Sequence, residues 1–292
     1  MDEKQLEKIH LLRRNEPLFK HSTFRVGGNA DFFYEAKTTD ELSNIILAAE
    51  HDRISYRIIG RGTNILFRDE GYRGLIVKNL TSTLLFEGSK VVADSGVLLS
   101  QIVQQSVKNN LTGLEPLHGL PGSIGAAVWG NAGVPNCEIS KFVDSIEVFS
   151  FTDGRQILLS SQIDFEYRAT SLQKTSDVIL KVNLYLSKGD FQKSKDAMIL
   201  INKARLAKQP LGFTCGSFFK NPSADKSAGM LIDQCGLKGR RIGGAEISQK
   251  HANFFLNVNN ASASDILALA KLAEEEVFKK FGINLEKEVK IV

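Results

Sequence analysis

Runs of apolar and polar positions divide the first part of the chain into short elements of alternating type. From 38 to 49 the apolar positions recur at helical spacing, and Thr38 and Glu41 have the spacing of a capping box, which predicts a helix. Apolar runs that predict strands lie before and after this helix, at 30–34, 54–59 and 75–77. The last two strands flank a glycine-rich loop, 60–74. This order indicates a small α/β unit, which we predict to cover residues 1–80.

A second series of elements follows, and we predict that it forms a domain over 81–200. Its predicted elements are, in order, a strand at 91–93, a helix at 99–107, strands at 146–151 and 178–186, and a helix at 190–207. A second glycine-rich stretch, 113–133, lies between the first helix and the next strand.

The clearest helix belongs to the last predicted domain, 201–292. It covers about 265–281, with Gly282 as its C-terminal stop. Its apolar face carries Ile266, Leu269, Ala273 and Val277. A last strand at about 285–292 is expected either in this domain or back in the preceding part of the chain.

Length, charge and cysteine content narrow the classes of protein. At 292 residues the chain is longer than a domain with a single hydrophobic core usually is, which agrees with several domains. The net charge of +4 comes from dispersed lysines and arginines, so we expect neither nucleic-acid nor membrane binding. Cys137, Cys215 and Cys235 form neither an even set nor a C-x-x-C pair, and we therefore expect no disulfide, no metal site and a cytoplasmic location. The charge-dense segment 1–15 lacks an apolar stretch of signal-peptide length.

The first glycine-rich loop contains, directly after a predicted strand, Gly60, Arg61, Gly62, Thr63 and Asn64. Glycines there let backbone N–H groups approach a phosphate or pyrophosphate closely. Ile65 stands where the dinucleotide fingerprint has its third glycine, and no Lys-Ser/Thr pair makes the loop a P-loop. Taken alone, the pattern fits an ordinary tight turn equally well.

The second glycine-rich stretch combines small residues with two polar ones. It reads Gly119-Leu120-Pro121-Gly122-Ser123-Ile124-Gly125-Ala126-Ala127 and then Asn131-Ala132-Gly133. Such a stretch lets the main chain run against a flat ligand, with Ser123 and Asn131 as polar contacts. Two adjoining turns would explain the glycines, although not their density beside the alanines.

A third candidate segment places a hydroxyl group between a glycine and two phenylalanines. It reads Gly216-Ser217-Phe218-Phe219-Lys220-Asn221-Pro222. A serine in a dry pocket is suited to delivering one proton. No histidine or acid lies nearby in sequence and the G-x-S-x-G motif is absent, so a hydrolase nucleophile is not indicated.

Together these stretches resemble the UDP-N-acetylenolpyruvoylglucosamine reductase family, and the likeness runs through nearly the whole chain. Further matching segments are Thr23-Phe24-Arg25-Val26-Gly27-Gly28, Tyr167-Arg168 and Leu285-Glu286-Lys287-Glu288-Val289-Lys290. The resemblance implies an α+β fold, in which a two-domain FAD-binding module of the vanillyl-alcohol-oxidase-like type is joined to a smaller α/β substrate-binding domain. It also implies non-covalently bound FAD, NADPH as the hydride donor, and reduction of UDP-N-acetylglucosamine enolpyruvate to UDP-N-acetylmuramate for peptidoglycan synthesis. We expect a monomer.

The resemblance also assigns roles to individual residues. Arg168 would pair with the substrate carboxylate and stabilise the developing enolate, with Glu288 at the same end. Glu288 would act either protonated or by orienting Arg168. Ser217 matches the general acid, supported by Lys208 or a water chain. The substrate-contacting positions are matched by Tyr167, Lys208, Asn221 and His251, and the FAD-binding positions by the two glycine-rich loops.

The chain departs from the family pattern at a few places. Ser22 stands where Asn is usual, Ala126 replaces a glycine, and Phe213-Thr214-Cys215 shortens the approach to Ser217. The stretch between Arg168 and Ser217 is too short for the inserted tyrosine-bearing loop of one branch, so we expect the branch without it.

Two other functions stay open on the sequence. A related FAD-dependent oxidase would often tether its flavin through a histidine, for which His118 is the nearest candidate. A non-enzymatic ligand-binding or cell-wall regulatory protein would not need to keep Ser217, Arg168 and Glu288 together.

Overall fold

The computed structural model describes residues 5–292 of the chain. Residues 1–4, with which the charge-dense N-terminal segment begins, lie outside the described part. Among residues 5–292, no helix is both long and apolar enough to cross a membrane.

The described residues form six α-helices and twenty short strands. The helices are α1 Thr39–His51, α2 Leu99–Lys108, α3 Ile124–Trp129, α4 Phe191–Lys208, α5 Ala228–Gln234 and α6 Ala263–Phe281. The strands are β1 Arg13–Pro17, β2 Asn29–Ala36, β3 Tyr56–Ile59, β4 Ile65–Leu66, β5 Tyr72–Asn79, β6 Leu84–Glu87, β7 Lys90–Asp94, β8 Leu111–Thr112, β9 Gly133–Val134, β10 Cys137–Glu138, β11 Val143–Ser150, β12 Gly154–Leu159, β13 Phe165–Glu166, β14 Ala169–Thr170, β15 Val178–Tyr185, β16 Ser187–Lys188, β17 Arg241–Ile242, β18 Ala245–Ile247, β19 Phe255–Asn257 and β20 Lys290–Ile291.

These elements fall into two compact units, each made of three stretches of chain. Of the described residues, unit 1 comprises 5–13, 33–60 and 74–204, and unit 2 comprises 14–32, 61–73 and 205–292. The division into domains 1–80, 81–200 and 201–292 stays a prediction.

Unit 1 contains a five-stranded antiparallel sheet and, in a second sheet, the neighbouring strands β2, β5 and β3, of which the last two form a parallel pair. The five-stranded sheet has the order β12-β11-β15-β7-β6, and buried residues such as Val91, Ile146 and Val182 pack with α2 and α3 into one core. The parallel pair is β3 with β5, and α1 supplies the connection between β2 and β3. Thr38 caps α1 as predicted, because its side chain accepts a hydrogen bond from the Glu41 amide.

Unit 2 is built around α6 and a group of phenylalanines. The predicted apolar face of α6 is confirmed, since Ile266, Leu269, Ala273 and Val277 are all buried. The sheet β17-β18-β19 and the rings of Phe24, Phe218, Phe219 and Phe255 belong to the same core. Gly282 ends the helix in the left-handed conformation with a φ of 67°, as the sequence predicts.

The final strand is shorter than predicted. Only Lys290–Ile291 forms a regular strand, and it pairs in parallel with Ile65–Leu66. Upstream, the Glu288 amide donates to the Phe218 carbonyl and the Lys220 amide donates to the Glu286 carbonyl. Residues 286–288 are therefore paired with the segment around Ser217 by isolated bonds, which is why the regular strand does not begin at 285.

A buried carboxylate joins α4 to the end of strand β8 in unit 1. Glu115, 7% exposed, accepts hydrogen bonds from the Ser194 hydroxyl, from the Thr112 hydroxyl at 2.6 Å and from the Gly113 amide at 2.7 Å. Burial alone would raise the pKa of this carboxyl, but the hydrogen bonds from Ser194 and Thr112 outweigh it, and the pKa is lowered.

We expect Glu115→Gln to destabilise the protein at neutral pH and to matter less in acid. A glutamine presents an N–H₂ group where donors already point, which should lower the free energy of unfolding by about 1–3 kcal/mol at pH 7. Because the pKa of Glu115 is lower in the folded than in the unfolded chain, its contribution is complete above the unfolded value and is lost as the pH falls through the folded value. Urea unfolding between pH 7 and pH 3.5 measures the difference.

The exposed Glu87 provides the control, because Glu87→Gln should change stability little at any of these pH values. A gap between wild type and Glu115→Gln that stays constant down to pH 3.5 would contradict this account.

Candidate active site

The two glycine-rich stretches meet within unit 1 at Gly60. A Cβ atom placed on Gly60 would lie 2.6 Å from the Ser123 hydroxyl oxygen and 3.9 Å from the Ala126 Cβ. The Ser123 hydroxyl forms no hydrogen bond with any described residue, so it is available to a ligand. Small side chains and an available hydroxyl group therefore lie together where the two glycine-rich stretches approach each other.

Part of the second stretch is helical, whereas its sequence pattern predicts a loop. Ile124–Trp129 forms α3, preceded by Gly119, Pro121 and Gly122 in the loop that leads to it. Gly125 is needed for packing, because a Cβ there would lie 2.6 Å from the Ser95 Cβ. The high density of small residues thus serves a close contact inside the unit as well as access for a ligand.

Arg168 is tethered to the end of the same stretch. Its guanidinium donates to the Gly133 carbonyl at 2.6 Å and to the Asn131 carbonyl at 3.4 Å, and it lies 3.9 Å from a Glu138 carboxylate oxygen. The side chain of Arg168 is 17% exposed, and the Tyr167 ring packs against it at 4.9 Å. A predicted catalytic cation is thus fixed beside predicted cofactor-binding residues.

The Asn131 side chain is engaged by the protein. Its amide nitrogen donates to Glu138 at 3.0 Å and to the Glu166 carbonyl at 2.9 Å, and its amide oxygen accepts from Ser140 at 3.4 Å. Glu138 was not singled out from the sequence, although it contacts both Asn131 and Arg168. No motif marks it, and only the fold brings it to this position.

Gly62 lies in unit 2 in a conformation that requires glycine. Its φ is +67°, and a Cβ there would come within 1.9 Å of the His21 carbonyl oxygen. The Gly62 carbonyl accepts from the Thr23 amide at 3.0 Å and from the Thr23 hydroxyl at 3.2 Å. The loop around Arg61, Gly62 and Thr63 is therefore held from the side of the Thr23 segment.

Asn64, at the end of this loop, contacts the predicted catalytic glutamate. Its side-chain amide donates to the Glu288 carbonyl at 3.3 Å, and its own carbonyl accepts from the Lys290 amide at 3.1 Å. A cofactor-loop residue and Glu288 are thus neighbours within unit 2.

Ser217 and Glu288 are joined through one intervening residue. The Glu288 amide donates to the Phe218 carbonyl at 2.9 Å, directly after Ser217, and Ser217 itself forms an isolated bridge with Phe254. No described residue hydrogen-bonds the Ser217 hydroxyl. The hydroxyl is half-buried and is free to donate to a substrate.

Cys215, two residues before Ser217, is buried. Burial raises the pKa of the Cys215 thiol well above its usual value, and the charge of Glu288 adds to this effect. Glu288 is therefore close enough to act electrostatically on the segment that carries Ser217.

The predicted substrate-contacting residues of unit 2 are placed in two regions. The Asn221 side chain accepts a hydrogen bond from the Ala228 amide at 3.1 Å. Gly229, which follows Ala228, packs so closely against the His251 ring that a Cβ atom would not fit there. Burial, and next the charge of Lys238, lower the pKa of His251. Lys208 is exposed at the end of α4.

Contacts within one unit join Gly60 to Ser123, Arg168 to Asn131 and Gly133, and Asn64 to Glu288. Arg168 and Tyr167 belong to unit 1, whereas Ser217, Glu288, Asn221 and His251 belong to unit 2. The convergence of Arg168 with Ser217 and Glu288 stays a prediction.

The residues around Gly60 suit a flavin nucleotide. A free hydroxyl at Ser123 and the lack of side-chain bulk at Gly60 and Ala126 allow the close backbone approach that a pyrophosphate needs. Residues 30–160 match the family model of an FAD binding domain. The chain is thus an FAD-binding protein with the predicted fold class, a flavin-binding module joined to a further α/β part.

A second family model, two sequence relatives and one solved structure specify the family. Residues 206–292 match the family model of the UDP-N-acetylenolpyruvoylglucosamine reductase C-terminal domain. The UDP-N-acetylenolpyruvoylglucosamine reductases of Clostridium botulinum strain Okra and Caldanaerobacter subterraneus are 40% and 37% identical, with 95% and 99% of this chain and 91% and 96% of theirs covered. The crystal structure of UDP-N-acetylenolpyruvylglucosamine reductase (MurB) from Thermus caldophilus superposes with a TM-score of 0.82 at 30% identity, covering 96% of this chain and 97% of that one. The chain belongs to the UDP-N-acetylenolpyruvoylglucosamine reductase family and is an FAD-dependent oxidoreductase.

Gly62→Ala should deprive the protein of its flavin. Alanine would be strained by the left-handed backbone and would collide with the His21 carbonyl, so we expect a loss of about 3 kcal/mol in the free energy of unfolding and a large fall in bound FAD. The measurement is the flavin absorbance per mole of purified protein, together with urea unfolding.

Gly88 offers a matched control, since its φ is +62° and a Cβ there would meet nothing within 4 Å. Gly88→Ala should cost only the backbone strain, about 1 kcal/mol, and keep the flavin. Equal flavin content in the two variants would refute the role given to the close approach at Gly62.

Proposed function

We propose that this protein reduces UDP-N-acetylglucosamine enolpyruvate to UDP-N-acetylmuramate with NADPH, as a step of peptidoglycan precursor synthesis. The family and the FAD-binding region support an oxidoreductase of this kind. The observation that carries the proposal is the placement of an available Ser217 hydroxyl beside Glu288, joined through the Phe218 main chain.

FAD, which the two glycine-rich loops would hold, would supply a two-electron carrier between NADPH and the substrate. Addition of hydride to the methylene carbon of the enol ether leaves negative charge on the α-carbon and its carboxylate. One proton must then reach the α-carbon to complete the lactyl ether. The protein therefore needs a cation for the carboxylate and a proton donor for the α-carbon.

Arg168 and Ser217 are proposed for these two tasks. The planar guanidinium of Arg168, already held by the Gly133 carbonyl, can pair with the substrate carboxylate and stabilise the charge that develops there. Ser217 donates the proton to the α-carbon. Glu288 assists at the same end, either as a protonated acid or by orienting Arg168.

Substrate binding is proposed for four further residues. Lys208 suits the diphosphate or the carboxylate as an exposed cation, and the other three offer polar contacts to the sugar nucleotide, namely Tyr167, Asn221 and His251. We further propose a cytoplasmic location, since NADPH and nucleotide sugars are cytoplasmic metabolites and the three cysteines are free thiols. The monomeric state stays a prediction.

The two half-reactions, measured separately without oxygen, test the proposal. NADPH should bleach the bound flavin, and UDP-N-acetylglucosamine enolpyruvate should then restore its absorbance. Bleaching without reoxidation by that substrate would leave only a generic flavoprotein. Denaturation should release free FAD, whereas a flavin that stays attached would favour a histidine-tethered oxidase.

A further inference from the structure

Asn253 is a buried polar residue next to the segment that carries Ser217. It is 2% exposed, and it was not singled out from the sequence. Its main-chain carbonyl accepts from the Phe218 amide at 2.8 Å. Its side-chain oxygen accepts from the Phe219 amide at 2.9 Å, and its side-chain nitrogen donates to the Phe219 carbonyl at 2.8 Å. Asn253 therefore holds both residues that follow Ser217.

The side chain of Asn253 replaces a missing strand neighbour. On the opposite edge Phe219 lies across from Lys287, but the hydrogen bonds there are made by the flanking residues, from the Glu288 amide to the Phe218 carbonyl and from the Lys220 amide to the Glu286 carbonyl. Phe219 is 1% exposed, so its peptide N–H and C=O groups would be buried without partners if the Asn253 amide were absent. A two-point pairing of this kind fixes both the position and the tilt of the peptide plane.

Asn253 also connects this segment to a predicted substrate-contacting residue. Its main-chain amide donates to Nδ1 of His251 at 3.2 Å, which leaves the ring N–H of a neutral His251 on the other nitrogen. The Ser217 segment and His251 are thus held by the same residue.

We propose that Asn253 is a positioning residue that sets the direction of the Ser217 hydroxyl for proton delivery. The inference rests on the proposed function. Asn253 does not touch the reacting atoms but acts through the Phe218–Phe219 main chain. A shift of the hydroxyl by about 1 Å can cost about 100-fold in rate, so the effect should appear in the half-reaction that consumes the proton.

The test is Asn253→Ala, with both half-reactions followed by stopped-flow absorbance in the flavin-loaded enzyme. We expect reoxidation by UDP-N-acetylglucosamine enolpyruvate to slow by about 10-fold to 100-fold, and reduction by NADPH to stay within about twofold of wild type. In a Ser217→Ala background, Asn253→Ala should change reoxidation by no more than about twofold, because the hydroxyl that it positions is gone.

Asn257 provides a matched control. Its side chain also makes two main-chain hydrogen bonds in unit 2, to the Phe24 carbonyl at 3.0 Å and from the Ala261 amide at 2.8 Å. Asn257→Ala should lower stability and leave the ratio of the two half-reactions unchanged. If Asn253→Ala behaves in the same way, or if its effect is additive with Ser217→Ala, the positioning role is wrong.

Asn253→Asp keeps the inference testable should the alanine variant fail to fold. A protonated carboxyl offers one donor and one acceptor in the places of the amide, whereas a carboxylate offers no donor. Reoxidation relative to wild type should therefore recover as the pH is lowered, while flavin reduction should not follow. A flat pH profile would overturn the inference. A wild-type enzyme that the enolpyruvyl nucleotide does not reoxidise would instead overturn the proposed function itself.

Discussion

Ser217→Ala is expected to separate the two half-reactions. Reduction of the flavin by NADPH requires no proton from Ser217 and should stay within about twofold of wild type. Reoxidation by UDP-N-acetylglucosamine enolpyruvate should slow by about 10²-fold to 10⁴-fold, the range that a positioned general acid contributes. Anaerobic stopped-flow absorbance measures both rates in the same preparation.

The control is Ser223→Ala, because Ser223 is an exposed serine of the same segment whose hydroxyl donates to Asp225. It should behave as wild type in both half-reactions. An equal loss of both half-reactions in Ser217→Ala would mean that Ser217 supports the flavin site or the fold instead of delivering a proton.

Arg168→Lys is expected to be nearly as damaging. Lysine keeps the charge but loses the planar fork that can hold a carboxylate and the Gly133 carbonyl together. Reoxidation should slow by about 10²-fold to 10³-fold, since a donor aimed at developing charge is lost. Flavin content must be measured in parallel, because Arg168 also tethers the Asn131–Gly133 end of the cofactor-binding stretch.

Arg155→Lys is the matched control in unit 1. Arg155 is a partly exposed arginine that pairs with Asp40 and Glu147 on the surface, so its replacement should cost at most about 1 kcal/mol and leave both rates intact. The assignment of Arg168 to the substrate carboxylate would be wrong if Arg168→Lys kept a normal reoxidation rate with its flavin fully bound.

Local sequence patterns predicted helices such as α1 and α6 correctly, but they did not predict the structure of the second glycine-rich stretch. For α1 and α6 the capping residues and the apolar face are both encoded within a few positions, and both helices were found as predicted. Helix α3 was missed because its glycine and alanines resemble a loop in composition. Its Gly125 packs closely against Ser95, which lies thirty positions earlier in the chain, and local sequence carries no signal of that contact.

Site residues could be predicted where they stand in segments that resemble the family. Residues that reach the site only through the fold could not be predicted. Ser217, Glu288 and Asn64 stand in matching segments, and the structure places them near one another within unit 2. Glu138 and Asn253 act through main-chain and side-chain bonds to distant segments. Sequence reasoning has no signal for such bonds, since neither residue lies in a matching segment.

The discontinuity of unit 2 has a consequence for how this enzyme is made in the cell. Phe24 and Leu66 belong to the core that also contains Phe218 and Ile266. The segments of this core that are translated first therefore cannot be buried until the last segment has been synthesised. Nearly all of unit 1 leaves the ribosome before then and can fold during synthesis. A ribosome stalled within the final stretch should therefore present a nascent chain in which unit 1 resists protease while the segments 14–32 and 61–73 are still cleaved.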